Sequence, residues 1–317
     1  MLNITDEQKE LFRNRSSFKY YEFYFPELDL VITNEDIRQE SVVISQSICS
    51  ESDLVLGGCN ASSIQFDIYG LNNFELTGYK FNAKMFVSLD GETYDLELPM
   101  GVYRVDSCTI TDEHKYKTLI AYDALYDCSI DVSDWYNDLF EKNERITLLA
   151  FKESLLRHLG LSYSVSNLPN DEILIYKTIT PNGVNFIGTE VLEKICELNG
   201  GFGYMNRYGL FDICTLKSGG LFPEETLYPE ETLYPEENSE ILEDKSGSVF
   251  YKTSVCEEYS THPITCLNIR TDSEEVGVTI GTDTENPYVM VSNYLIYGKS
   301  VEELNSIGNN VLSLIHI

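Results

Sequence analysis

A proline recurs every six residues in the stretch Leu221-Phe-Pro-Glu-Glu-Thr226, Leu227-Tyr-Pro-Glu-Glu-Thr232, Leu233-Tyr-Pro-Glu-Glu-Asn238. Neither a helix interior nor a central strand accommodates that spacing, because each proline lacks the amide hydrogen that either structure needs. Extended or polyproline II backbone remains, and at three residues per turn a six-residue period returns every leucine to the same edge. Three copies are too few to stack as a solenoid. The repeat therefore reads as a connector, either a solvated linker or a segment docked along a neighbouring surface. In the second case Leu221, Leu227, Tyr228, Leu233 and Tyr234 are the partner-contact residues.

The connector divides a chain of 317 residues, a length that fits two or three domains. Before it, a capping box at Thr5-Asp-Glu-Gln8 opens a short helix. Short strands follow at Phe18–Phe25, 28–33, 41–47, Ser63–Tyr69, 84–89, 94–98, 101–105 and 118–122. They are rich in aromatic and β-branched residues, and Asp90-Gly91 is a hairpin turn between the fourth-from-last and third-from-last of them. This spacing predicts a small sandwich or barrel over residues 1–122.

Residues 123–215 change period. Leu148, Phe151, Leu155 and Leu159 form a helical stripe between an N-cap at Thr147 and a stop at Gly160. A second helix spans 189–199, and a hairpin turns at Asn206-Arg-Tyr-Gly209, so this part reads as an inserted α/β domain. After the connector at 216–247, strands resume at 249–255, 264–270, 276–280 and 288–291, within a second β domain at 248–317. Ser300-Val-Glu-Glu303 is a capping box for a final helix. The ending Leu-Ser-Leu-Ile-His-Ile resembles the translation of a sequencing adapter, so the native chain is expected to continue beyond it.

Charge excludes several functions. With 22 Lys+Arg against 52 Asp+Glu the net charge is −30, the wrong sign for holding nucleic acid through its phosphates or for docking on anionic lipid. Residues 221–260 alone hold eleven acids and two lysines. With 43% hydrophobic residues the acidity does not imply disorder. The first residues contain no apolar core of a signal peptide, and no 18 apolar residues run together to span a membrane.

Motifs that carry chemistry are missing from their required contexts. The eight cysteines show no C-x-x-C spacing and the four histidines are scattered, so no metal site is expected, and the cysteines are expected to be reduced and mostly buried. Gly201-Phe-Gly203 looks like the start of a dinucleotide fingerprint but follows a helix instead of opening one. The acids Asp123, Asp127, Asp131, Asp134 and Asp138 lack the spacing of a calcium loop and in part mark a helix start. Trp135 reads as a packing anchor. No catalytic, cofactor-binding or metal-binding residue is assigned.

Four stretches nevertheless resemble the tail-tip or baseplate hub proteins of long-tailed bacteriophages, including the hub portion of tail-associated lysins and prophage endopeptidase-tail proteins. They are Gly101-Val-Tyr-Arg-Val-Asp-Ser107, Leu119-Ile-Ala-Tyr-Asp-Ala-Leu-Tyr-Asp127, Val191-Leu-Glu-Lys-Ile-Cys-Glu-Leu-Asn-Gly-Gly-Phe-Gly-Tyr-Met-Asn-Arg-Tyr-Gly-Leu210 and Asn286-Pro-Tyr-Val-Met-Val-Ser-Asn293. The resemblance spans most of residues 15–312 and lies in the order of the stretches. It implies a mainly β, α+β chain with two tail-tube-like β-barrel domains and an inserted α/β domain. It further implies a non-enzymatic homotrimer in the virion, assembled in the bacterial cytoplasm, that adapts six-fold to three-fold symmetry and gates DNA exit. The implied partners are a distal tail protein or the tail tube, the tape-measure protein C-terminus and host-binding tail components, with DNA only in transit. The alternatives are the non-catalytic front of a tail-associated cell-wall hydrolase, or a host-surface adhesin.

Overall fold

The computed structural model describes residues 5–14, 17–47, 55–70, 74–91, 95–111, 116–164, 168–177, 186–215, 264–270, 277–282, 287–290 and 293–315. It is mainly β with some helices, as expected. Helix α1 (Asp6–Arg13) begins at the predicted capping box, where the Thr5 amide donates to Gln8 Oε1 and the Gln8 amide to Thr5 Oγ1. Strands β1 (Phe18–Phe25), β2 (Leu30–Ile32), β3 (Val43–Ser45), β4 (Ser63–Tyr69), β5 (Lys80–Ser88), β6 (Leu96–Thr111) and β7 (Tyr116–Tyr122) form one antiparallel sheet in the order β2-β1-β5-β6-β7-β4-β3.

Alternation puts one face of this sheet inside. Phe23 and Phe25 of β1, Ile64, Phe66 and Ile68 of β4, Phe81 of β5, Tyr103 and Val105 of β6, and Leu119 and Ala121 of β7 share one buried cluster. Strands at opposite margins reach the same cluster because the sheet curls. The segment after β2 also crosses to β4, where Arg38 N donates to Asp67 O and Tyr69 N to Asp36 O, both at 2.8 Å. Among the described residues no ladder joins β2 to β3, and no closed barrel is found there.

The two strands expected at 94–98 and 101–105 are a single strand, β6. Its register against β5 jumps from Ala83↔Gly101 to Lys84↔Pro99, leaving Met100 as a bulge. Bulges are where a sheet tolerates proline, and Gly101 at φ +141° supplies the backbone angle. The bend keeps one strand paired with β5 at its start and β7 at its end.

The second layer begins with a 3₁₀ turn (Ala124–Cys128) and α2 (Ser133–Lys142), followed by β8 (Arg145–Thr147), α3 (Leu148–His158), β9 (Leu174–Tyr176), α4 (Gly188–Leu198), β10 (Gly201–Met205) and β11 (Phe211–Thr215). Thr147 caps α3 through the Ala150 amide, and Gly160 follows it at φ +71°, as the sequence predicts. Trp135 anchors packing, but against α3: its ring lies 5.3 Å from Phe151, and Nε1 donates to Ser154 Oγ. Strands β12 (Cys266–Ile269), β13 (Val278–Gly281) and β14 (Tyr288–Met290) pair in the order β13-β12-β14, and α5 (Val301–Ile315) follows a 3₁₀ turn at Tyr294–Ile296. Leu267, Ile269, Leu304, Ile307 and Val311 join Leu155, Ile195 and Leu198 in one core, so the last strands and α5 share their interior with the α/β part.

Candidate functional site

The two layers meet where β7 runs into the 3₁₀ turn, and that joint is built from polar side chains. Asp123, 4% exposed, accepts from Ser62 N at 2.8 Å, from Ser62 Oγ at 2.6 Å and from Leu125 N at 3.0 Å. Burial pushes its carboxyl above the ordinary aspartate range, while the Ser62 bonds pull it back. One carboxylate thus ties the entry of β4, the exit of β7 and the second amide of the turn. Next to it, Arg104 of β6 holds Asp127 in a two-pronged pair, with Nε donating to Oδ2 at 3.0 Å and the second guanidinium nitrogen to Oδ1. The Tyr122 and Tyr126 rings stack at 4.1 Å beside them.

The β10–β11 turn docks on the β6 bulge. Arg207 donates to Pro99 O at 3.4 Å, and a Cβ on Gly209, at φ +73°, would meet Val102 Cγ2 at 2.8 Å. Asn206 Oδ1 shapes this turn by accepting from Tyr208 N and Leu210 N. The joint encloses a cavity of about 10 Å³, bordered by Ser62, Tyr103, Asp123 and Arg207. That volume suits one water and no organic substrate.

A second contact threads the segment before β4 into the α/β core. Gly57 N donates to Gly201 O, and Gly203 N to Gly58 O, both at 2.9 Å, so residues 57–59 run along β10. Cys59 Sγ lies 3.5 Å from Cys196 Sγ of α4. Gly203 serves this close approach, since a Cβ there would overlap Cys59 Sγ and reach Cys196 Sγ at 3.0 Å, while Gly201 lies against β11, where a Cβ would meet Cys214 O at 2.7 Å. The C-terminal layer is fastened through Glu197, whose Oε2 accepts from Asn293 Nδ2 at 2.9 Å. Burial raises the Glu197 carboxyl and also the Tyr288 hydroxyl, which bonds to it.

The acids singled out in the sequence have separate uses. Asp123 caps the 3₁₀ turn, Asp127 pairs with Arg104, and Asp131 accepts from Ser133 N at 2.8 Å at the start of α2, where the Ser133 hydroxyl and then its amide lower the carboxyl pKa. Among the described residues no three His, Cys, Asp or Glu side chains are grouped to hold a metal ion. Cys59, Cys128, Cys196 and Cys266 are buried and Cys214 is exposed, all as free thiols. Leu221, Leu227, Tyr228, Leu233 and Tyr234, with the whole proline repeat, lie outside the described residues, as does the strand expected at 249–255. Sequence reasoning missed the Ser62–Asp123 joint, since a serine and an aspartate 61 positions apart carry no local pattern. It also missed the buried Lys152–Asp171 pair, with Nζ 3.0 Å from Oδ1. No helix among the described residues is long and apolar enough to cross a membrane.

No protein-family model matches the chain, and no curated protein matches it. Among solved structures it is similar to the 43 kDa tail protein of prophage MuSo2 from Shewanella oneidensis, at 13% identity and a TM-score of 0.38, covering 64% of this chain and 58% of that one. It is also similar to a tail protein from Neisseria meningitidis, at 12% identity and a TM-score of 0.39, covering 63% of this chain and 52% of that one. The chain thus spans little more than half the length of either solved protein.

Proposed function

We propose that this chain is a structural phage tail protein that forms a trimeric hub at the distal end of the tail tube, adapting six-fold to three-fold symmetry and gating DNA exit. The observation that carries the reading is where its four hub-like stretches meet. Residues 101–107 supply Arg104 and Gly101, which adjoins the β6 bulge, and residues 119–127 supply Asp123 and Asp127. Residues 191–210 supply Cys196, Glu197, Gly203 and Arg207, and residues 286–293 supply Tyr288 and Asn293. Stretches far apart in sequence therefore build the contacts that lock a curled sheet to an α/β layer and fasten the C-terminal layer to α4. A joint without room for a substrate suits a load-bearing part.

In this reading β2 and β3, which end the strand order among the described residues, are where neighbouring copies add. The second tube-like unit is centred on β12–β14. Three copies carry a net charge of about −90, three times the −30 of one chain. A lumen of that sign lets DNA pass without sticking. Light scattering on the purified chain, alone and mixed with a tail-tube protein, tests the proposal. A trimer that forms rings with the tube protein is expected. Monomers at all concentrations, with no ring on mixing, would overturn it.

A further inference from the structure

Cys59 and Cys196 are placed for a reaction that the hub reading does not use. Their sulfurs lie 3.5 Å apart, one on the segment entering β4 and the other on α4, 137 positions away in sequence. A disulfide needs an S–S distance of about 2.05 Å, so sulfurs 3.5 Å apart must close by about 1.5 Å, less than 1 Å each. Nothing stands between them. Gly203 faces both sulfurs, and a side chain there would overlap Cys59 Sγ. The third nearby thiol, Cys128, is turned away, its Sγ donating to Ala124 O at 3.3 Å.

We propose that Cys59 and Cys196 form a latent disulfide, a redox modification site that a small peroxide closes to bond the curled sheet covalently to α4. In the first step one sulfur attacks a peroxide oxygen. The O–O bond breaks, an S–O bond forms, and the released hydroxide takes the thiol proton as water. In the second step the other sulfur attacks this sulfenic sulfur. The S–S bond forms, the S–O bond breaks, and hydroxide leaves as water with the second thiol proton. The sulfurs lose two electrons in all and the peroxide oxygens gain them. A small oxidant is required because Cys196 is wholly buried and Cys59 almost so. The bond with Cys196, followed by burial, raises the Cys59 thiol well above its ordinary value. The reaction is therefore slow at neutral pH and faster in alkali, where more thiolate is present.

The test treats the full chain, purified in reductant and then desalted, with hydrogen peroxide in mild alkali, continued well past complete oxidation of exposed Cys214. Alkylation in denaturant and peptide mapping then locate every thiol. A peptide pair joined through Cys59 and Cys196 is expected, with a mass 2 Da below the sum of the reduced peptides. The melting temperature should rise on the order of 5 °C, since the cross-link closes a long loop. Cys128→Ser should retain the link and Cys196→Ser should lose both the link and the shift. Cys59 and Cys196 still free after the prolonged alkaline treatment, or a Cys59–Cys128 link in their place, would overturn the proposal. The mapping of the unsubstituted chain decides the matter even where a variant does not fold.

Discussion

The rings of Phe23 and Phe66 lie 4.2 Å apart, although β5, β6 and β7 stand between their strands in the sheet order. In a flat sheet four ladder spacings would hold those strands about 19 Å apart. The contact therefore measures the curl directly. Phe81 lies 5.5 Å from Phe23 and 5.7 Å from Phe66, completing an aromatic knot at the centre of the curled sheet.

That knot sets the first prediction. Phe66→Ala removes a fully buried ring from a contact between opposite sides of the sheet, and should cost about 3–5 kcal/mol in urea unfolding. A loss below about 1 kcal/mol would mean that the two sides do not meet as described.

Gly203→Ala should destabilise the chain by about 1–3 kcal/mol, because the added methyl presses on Cys59 and Cys196. Cys59→Ala empties part of the same space. The double substitution should recover a measurable part of the loss, and strict additivity in the double-mutant cycle would contradict this packing.

The two ion pairs should behave differently. Arg104 and Asp127 are partly exposed, so Arg104→Met should cost less than about 1 kcal/mol, with a cost that shrinks in high salt. Lys152 and Asp171 are buried. Lys152→Met strands a buried carboxylate and should cost about 3–5 kcal/mol, with little salt dependence. Equal costs measured by denaturant titration would refute the assigned burial.

The pH dependence follows from Glu197. Burial raises its folded-state pKa above the 4.5 of the free side chain, so in the intervening range the folded state binds more protons than the unfolded one. The stability it contributes is complete below pH 4.5 and is lost as pH rises through the folded value. Glu197→Gln removes this dependence while leaving an amide oxygen to accept from Asn293. Urea midpoints between pH 4.5 and 7 should therefore fall less steeply for the variant than for the unsubstituted chain. Identical slopes would show that Glu197 does not titrate in this range.

Local structure was legible in the residues wherever the cause was itself local. Thr5 and Gln8, Thr147 and Gly160, Ser300 and Glu303, and the turn at Asn206–Gly209 each act within a few positions, and each appears where its pattern predicts. The alternation of β4 and β7 likewise names the faces that are buried. Tertiary structure alone decided the rest. The merging of two expected strands into β6 depends on two irregularities that its neighbours must accommodate, the Met100 bulge against β5 and a register shift between Val105 and Ser107 against β7. The joint depends on Ser62, Arg104, Asp123 and Arg207 arriving together from distant strands and turns. The bonds to Asp123 satisfy a carboxylate that burial would otherwise leave unpaired, and burial is a property of the packed layers that no window of sequence contains.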